Sequence, residues 1–221
     1  MGRRFYLRSA GWRALMLRNA FLGTGFIDRI VGGWIHKHAR SNTTFLEIGC
    51  GAMNLERYLP RILCYNAFDL SLSEFHLSRL IRRRSNVNIA LASVSSIPLD
   101  SDVSSLIVST QVLEYVPEVS QAVKEIRRVA SPHAIFACSI GNGYCYKYKI
   151  KGPHHGHVNF WTFDAFVRMM TKSGFRLLEG RMLGLWIPIP QAVTDTSYTL
   201  PISAREEQYN THFLYLFEVL K

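Results

Sequence analysis

No apolar run in this 221-residue chain approaches the ~20 residues that a helix needs to cross a bilayer, so no membrane-spanning helix is expected. Cysteine is scarce. Cys50, Cys64, Cys138 and Cys145 include no C-x-x-C pair, and three of them fall in or beside apolar, strand-like segments. That usage excludes a disulfide framework and a zinc site, and it points to reduced, buried thiols in a cytoplasmic protein with no metal. No internal repeat and no low-complexity tract is present. Acids are nearly missing from the first 40 residues, where seven Arg and one Lys face Asp28 alone and so carry +7 of the formal net charge of +10. The basic character therefore belongs to an N-terminal arm and speaks for that arm's partner more than for the rest of the chain.

With 48% hydrophobic residues the chain is long enough for one sizeable core, expected as an α/β domain over 41–221 that follows an arm over 1–40. Arg8, Arg13 and Arg18 interrupt the apolar start, which is wrong for the apolar region of a secretory leader, and none is expected. Its Arg-rich composition has something of an organelle transit peptide, but the expected location is cytoplasmic. The pattern predicts two helices in the arm, over 8–22 and 26–39, the second with an apolar stripe of Ile27, Ile30, Val31 and Trp34. Two roles suit them: a lid packed on the core, or a peripheral contact with an anionic membrane surface.

The stretch Phe45-Leu46-Glu47-Ile48-Gly49-Cys50-Gly51-Ala52-Met53-Asn54 announces a ligand site. Residues 44–48 read as a buried parallel strand. Gly49 and Gly51 let the backbone turn sharply and let a ligand approach the main chain, and a helix is predicted over 55–59. Residues 64–69 form a second strand ending in Asp69, 18 residues after Gly51. That is close to the ~20 at which an acid accepts hydrogen bonds from a ribose diol. Further strands are expected over 87–92, 106–108, 133–140, 175–178 and 212–220, with helices over 118–130 and 164–173. A Ser71–Glu74 capping box and Arg82–Arg84 bound another helix. Residues 180–211, with Pro188, Pro190 and Pro201, read as an irregular, aromatic-bearing insertion.

Alternating strands and helices predict a doubly wound, mostly parallel sheet with an N-terminal helical extension. A dinucleotide fingerprint requires a third glycine where Asn54 stands, and Glu47 would repel a diphosphate but suit a cationic ligand. A nicotinamide oxidoreductase therefore rests on G-x-G alone.

Five motifs, in this order and spacing, resemble the class I S-adenosylmethionine-dependent methyltransferases, in particular the broad small-molecule group. They are Glu47-Ile48-Gly49-Cys50-Gly51, Asp69-Leu70-Ser71, Ile97-Pro98-Leu99, Val112-Leu113-Glu114-Tyr115-Val116 and Ser173-Gly174-Phe175. The resemblance implies a seven-stranded sheet with the last strand antiparallel, and S-adenosyl-L-methionine as cofactor. It places Glu47, Gly49 and Gly51, with Cys50 between them, along the methionine portion of the cofactor. Asp69 would hold the ribose, Leu70 would pack on the adenine, Ser93 and Val94 would sit at the adenine edge, and Gln111 would lie near the methionine end. Met53 stands where a third glycine is usual, Ser93 where an acid is common, and Tyr115 where His is frequent.

An oxygen acceptor gains from losing its proton, and histidine is tuned for that near neutral pH. The candidates for a base are His157 and His155, with His154 and Tyr115 behind them. Ser109-Thr110-Gln111-Val112 stands where nucleic-acid amine methyltransferases carry an Asn-Pro-Pro-Tyr tetrad, and there is no Pro-Cys pair, so a nucleic-acid substrate is not expected. Trp186 and Ile187 in the 180–211 segment suit a hydrophobic acceptor, and the resemblance implies methyl transfer to a small molecule, lipid-like or glycan-linked, at oxygen. The alternative is a binding or scaffold protein on the same fold.

Overall fold

The computed structural model describes residues 25–51, 53–71, 86–152, 156–187 and 198–221. The helix expected over 8–22, the Ser71–Glu74 cap, the Arg82–Arg84 run, His154 and His155 lie at least partly outside these residues.

Eight strands form one mixed sheet. They are β1 (Thr44–Ile48), β2 (Cys64–Asp69), β3 (Val87–Leu91), β4 (Ser104–Thr110), β5 (Ala130–Gly141), β6 (Phe175–Ile187), β7 (Tyr198–Leu200) and β8 (Asn210–Val219), in the spatial order β3-β2-β1-β4-β5-β8-β6-β7. The strands β1 to β5 pair in parallel. β8 enters antiparallel between β5 and β6. The order reverses at β1, where the chain leaves β3 at one edge and returns on the other side as β4. A crevice opens at such a switch point, beyond the carboxyl ends of the strands.

The four described helices are α1 (Gly25–His38), α2 (Val119–Val129), α3 (Tyr146–Lys151) and α4 (Phe163–Lys172). β1 is buried on both faces, and its side chains divide by the two-residue period of a strand. Leu46 and Ile48 pack with Val123, Ile126, Phe166 and Met170 of α2 and α4. Phe45 packs on the opposite face with Ile27, Val31, Trp34 and Ile35 of α1. Each such side chain withdrawn from water contributes roughly 1.5–3 kcal/mol.

The apolar stripe expected for the second arm helix is thus spent on the sheet, and Trp34 Nε1 donates to Glu179 Oε2 at 3.0 Å. This corrects the membrane reading for residues 25–38, whose apolar face is not free to enter a bilayer. That stretch packs as a lid would. Among the described residues no helix is long and apolar enough to cross a membrane.

The expected count of seven strands becomes eight. β6 was expected to stop at Leu178, but it continues to Ile187 because β8 pairs with it as far as Leu185↔Asn210. β7 then pairs back onto its end. Gly180 and Gly184 look like breakers in sequence, yet both serve close approach. A Cβ on Gly180 would lie 2.5 Å from the Phe163 ring, and one on Gly184 would lie 2.2 Å from Thr211 Oγ1. The 180–211 segment is therefore partly strand.

Arg128 explains the Ile97-Pro98-Leu99 motif. Its guanidinium donates to the carbonyls of Ile97 and Leu99 at 2.9 and 2.8 Å and pairs with Glu125, whose Oε2 accepts the Ile97 N–H at 3.0 Å. The loop that leaves β3 is pinned to α2 and closes one side of the crevice.

Candidate functional site

The turn after β1 is shaped by one contact. Gly49 adopts φ +68°, and a Cβ there would fall 2.2 Å from Val112 Cγ2. Only glycine combines that backbone with that neighbour. Gly49→Ala is expected to destabilise the fold by about 2–5 kcal/mol, from left-handed strain plus overpacking. Urea unfolding checks this, and adding Val112→Ala should recover part of the loss.

The amides of Gly49 and Cys50 donate to Phe68 O at 2.9 and 3.1 Å. Gly51 N donates to Asp69 Oδ2 at 2.9 Å, and Ser71 N donates to Asp69 Oδ1 at 3.1 Å. Asp69 therefore ties the β1 turn to the β2 tip while its carboxylate stays at the surface. A Cβ on Gly51 would meet nothing within 4 Å, so this turn faces open space. Met53, at the position where a third glycine is usual, holds φ +52° with its side chain buried. The helix expected over 55–59 is a single 3₁₀ segment, Asn54–Tyr58, too short to aim a row of amides at a ligand.

A cavity of about 220 Å³ opens beside this turn, beyond the carboxyl ends of β1, β2, β3 and β4. Gly49, Asp69, Leu70, Ser93, Val94 and Tyr115 all line it, so six residues picked out in the sequence meet in one place. Ile48, Phe68, Ala92, Ser95, Val112, Val116 and Pro117 complete the wall. Their lining role could not be read from spacing, because it depends on which way each strand end faces.

Glu47, Cys50, Gly51, Gln111 and His157 do not line this cavity. Glu47 points to the α1 side, wholly enclosed, and accepts a hydrogen bond from the Tyr65 hydroxyl. Burial pushes its carboxyl up to about 8, against the lowering effect of Tyr65, so at neutral pH it is mostly uncharged. The expectation that Glu47 offers a charge to a cationic ligand is thereby corrected. Cys50 is also buried on that side and its thiol is pushed up to about 12, so the residue serves the turn through its main chain. Gln111 takes φ +55° and turns back onto Ser139, its amide donating to Ser139 O at 2.9 Å and its Nε2 to Ser139 Oγ at 3.4 Å.

Tyr115 links the cavity to a second group of side chains. It lines the cavity on one side, and on the other its ring meets His157 edge to face at 4.6 Å. Around His157 lie Tyr148 at 6.0 Å and Phe160 at 6.4 Å between ring centroids. Tyr146 meets Trp186 and Tyr209, each at 6.2 Å, and extends this aromatic wall onto the 180–211 segment. Burial raises the phenols of Tyr115 and Tyr148 and holds them neutral. Burial likewise pushes His212 down to about 3, with Lys147 and His157 adding to the effect.

Glu114, inside a motif noted in the sequence but given no role there, is wholly buried between these groups. The only signal available in sequence was an acid set in an otherwise apolar turn, Val112-Leu113-Glu114-Tyr115-Val116.

Residues 46–138 match the family model described as a methyltransferase domain. No curated protein matches the chain by sequence. Among solved structures, YcgJ from Bacillus subtilis superposes with a TM-score of 0.67 at 13% identity, over 86% of this chain and 97% of its own. The 1,6-didemethyltoxoflavin-N1-methyltransferase of Burkholderia thailandensis, solved with 1,6-didemethyltoxoflavin and S-adenosylhomocysteine, gives 0.65 at 13% identity, over 99% of this chain and 87% of its own. The cyclase SpnF gives 0.62 at 12% identity, over 87% and 81%. At such identities the likeness speaks for the fold.

Proposed function

We infer that this chain, whose residues 46–138 match the model of a methyltransferase domain, is an S-adenosylmethionine-dependent methyltransferase that methylates an oxygen of a small, apolar acceptor. The observation that carries the reading is the cavity at the switch point, with Asp69 at its rim and Tyr115 shared with the aromatic group around His157. When bound, the cofactor supplies a methyl group on a sulfonium, open to in-line displacement.

The residues present fit such a molecule. Asp69 is a carboxylate at the tip of β2, where it would accept hydrogen bonds from the ribose diol. Ile48, Phe68, Leu70 and Val94 offer an apolar wall to the adenine, with Ser93 and Ser95 at its edge. Gly51, held by Asp69 next to the cavity, leaves the turn open to an approaching ligand, since a Cβ there would meet nothing within 4 Å. Glu47 supports the turn from behind. Beyond Tyr115 the aromatic wall would hold the acceptor, and a lipid-like or ring-bearing molecule suits it better than a charged polymer. Holding the acceptor oxygen against the methyl carbon supplies most of the rate gain, and a base adds to it. His157, set on the Tyr115 ring, is the side chain proposed to take the acceptor's proton.

Incubation with methyl-labelled S-adenosylmethionine and fractionated cell extracts tests the reading. Label should enter a product that partitions into organic solvent and that intact-mass analysis identifies as an O-methyl species. Label on nitrogen alone would overturn the oxygen assignment, and turnover no better than that of Asp69→Ala would return the protein to a binding role. His157→Ala should lower kcat by about 10²-fold or more while leaving cofactor affinity unchanged. Undiminished kcat in that variant rules His157 out as the base.

A further inference from the structure

Glu114 lies in the 3₁₀ turn Leu113–Tyr115, at the carboxyl end of β4, with no exposed surface. Its Oε1 accepts the Gly141 N–H at 2.9 Å. Its Oε2 is buried and has no hydrogen-bond partner among the described residues. A buried carboxyl oxygen left unpaired is costly and calls for an explanation. Bonding the Gly141 amide does not provide one, since a glutamine oxygen would accept that bond equally well without an ionisable group.

Two further observations point toward His157. The Glu114 carbonyl accepts the amides of Val158 and Asn159 at 2.9 and 3.1 Å, so the segment carrying His157 is fastened to the main chain of Glu114. Above Gly141, the point a Cβ would occupy lies 3.0 Å from His157 Cε1 and 3.7 Å from both Glu114 Oε1 and the Tyr148 hydroxyl. A carboxyl, an imidazole and a phenol therefore converge over a residue that has no side chain to separate them.

We propose that Glu114 is a positioning residue of the acceptor site, whose carboxylate holds the imidazolium of His157 in place as that ring receives the acceptor's proton. The inference rests on the reading of His157 as the acceptor-side base. In the step it serves, the acceptor O–H bond breaks and its proton passes to the imidazole. The oxygen pair forms the new C–O bond as the S–C bond breaks with its electrons on sulfur. The positive charge that the sulfonium loses thus reappears on His157.

Among the described residues, the other titratable groups near His157 do not supply a negative charge. Tyr115 and Tyr148 are phenols kept neutral by burial. His212 is kept neutral, and Lys147, whose ammonium burial pushes down, carries no negative charge in either form. Glu114 is the acid among them. Burial raises its carboxyl to about 7, so it is poised to ionise when a positive charge forms nearby.

Proton NMR of the imidazole Cε1–H in the full chain tests this without an acceptor, with His157 assigned by comparison with His157→Gln. In wild type the His157 resonance should show a second inflection, from ionisation of Glu114. In Glu114→Gln, which keeps the bond to Gly141, that inflection should vanish and the His157 midpoint should fall by about one pH unit. Glu114→Asp should restore part of the midpoint. His133, which pairs with Glu218 at 2.7 Å on β8, serves as the control and should not move. A single inflection in wild type, or a Glu114→Gln midpoint that moves no more than His133, overturns the proposal. If the coupling is present while His157→Ala keeps full turnover, the electrostatic pairing stands and the assignment of the base fails instead.

Discussion

Asp69→Ala is expected to weaken binding of S-adenosylhomocysteine by about 10²-fold or more, read by calorimetry. The side chain is asked to accept from two ribose hydroxyls, and a hydrogen bond to a charged group contributes roughly 1.5–3 kcal/mol. The same carboxylate accepts the amides of Gly51 and Ser71, so its loss also releases the turn that faces the ligand. Because Asp69 sits at the surface end of β2 and not in either core cluster, the variant should fold with nearly native stability. Asp69→Asn separates the two contributions. It keeps one acceptor oxygen for the turn but loses the charge, and should fall between wild type and alanine. Affinity within threefold of wild type in the alanine variant would remove Asp69 from the cofactor site, and with it the chief support for the ribose position.

The second large effect concerns pH. Glu47 and Glu114 have folded carboxyls raised to about 8 and about 7, in both cases chiefly by burial. The ordinary value is 4.5, so between it and the raised values the folded chain holds protons that the unfolded chain has released. Unfolding free energy must then fall as pH rises through that window, and level off above about 8. Each raised group contributes a slope of about 1.4 kcal/mol per pH unit while it lasts, so a loss of several kcal/mol from about pH 5 to about pH 8 is expected. Glu47→Gln keeps an acceptor for the Tyr65 hydroxyl and removes the ionisable group, so it should be more stable than wild type at the alkaline end and should flatten the profile. Urea unfolding at several pH values measures this. His212, held neutral down to about 3 by burial, opposes part of this fall below about pH 6.5, so the diagnostic interval is pH 6.5 to 8, where a wild-type profile that rises would show that Glu47 is ionised in the fold.

These two acids show where sequence reasoning reached its limit. The place of Asp69 at the cavity was legible because it depends on chain spacing: a strand that follows a Gly turn by a fixed interval ends beside that turn. Glu47 stood in the motif of the Gly turn itself, and its identity invited a charged role. Which face of β1 it occupies, and that Tyr65 waits for it there, are set by how β1 pairs with β2, with Glu47 opposite Ala67 and Phe45 opposite Tyr65. Cys50 followed the same course. Glu114 went without a role because nothing local marks an acid as buried. Only the meeting of the β4 and β5 ends brings it to Gly141.

By itself the sequence determined the doubly wound frame, the turn Gly49–Gly51, the acid at the second strand tip and the helices over α2 and α4, since each depends on periodicity or spacing within a short stretch. Tertiary structure alone decided the rest. It extended β6 through two glycines because β8 and Phe163 pack there, and it turned the α1 stripe onto the sheet. Above all it settled which side chains of the opening motif face the crevice and which support it. Facing is a property of paired strands, and a strand acquires its partners only when distant parts of the chain come together.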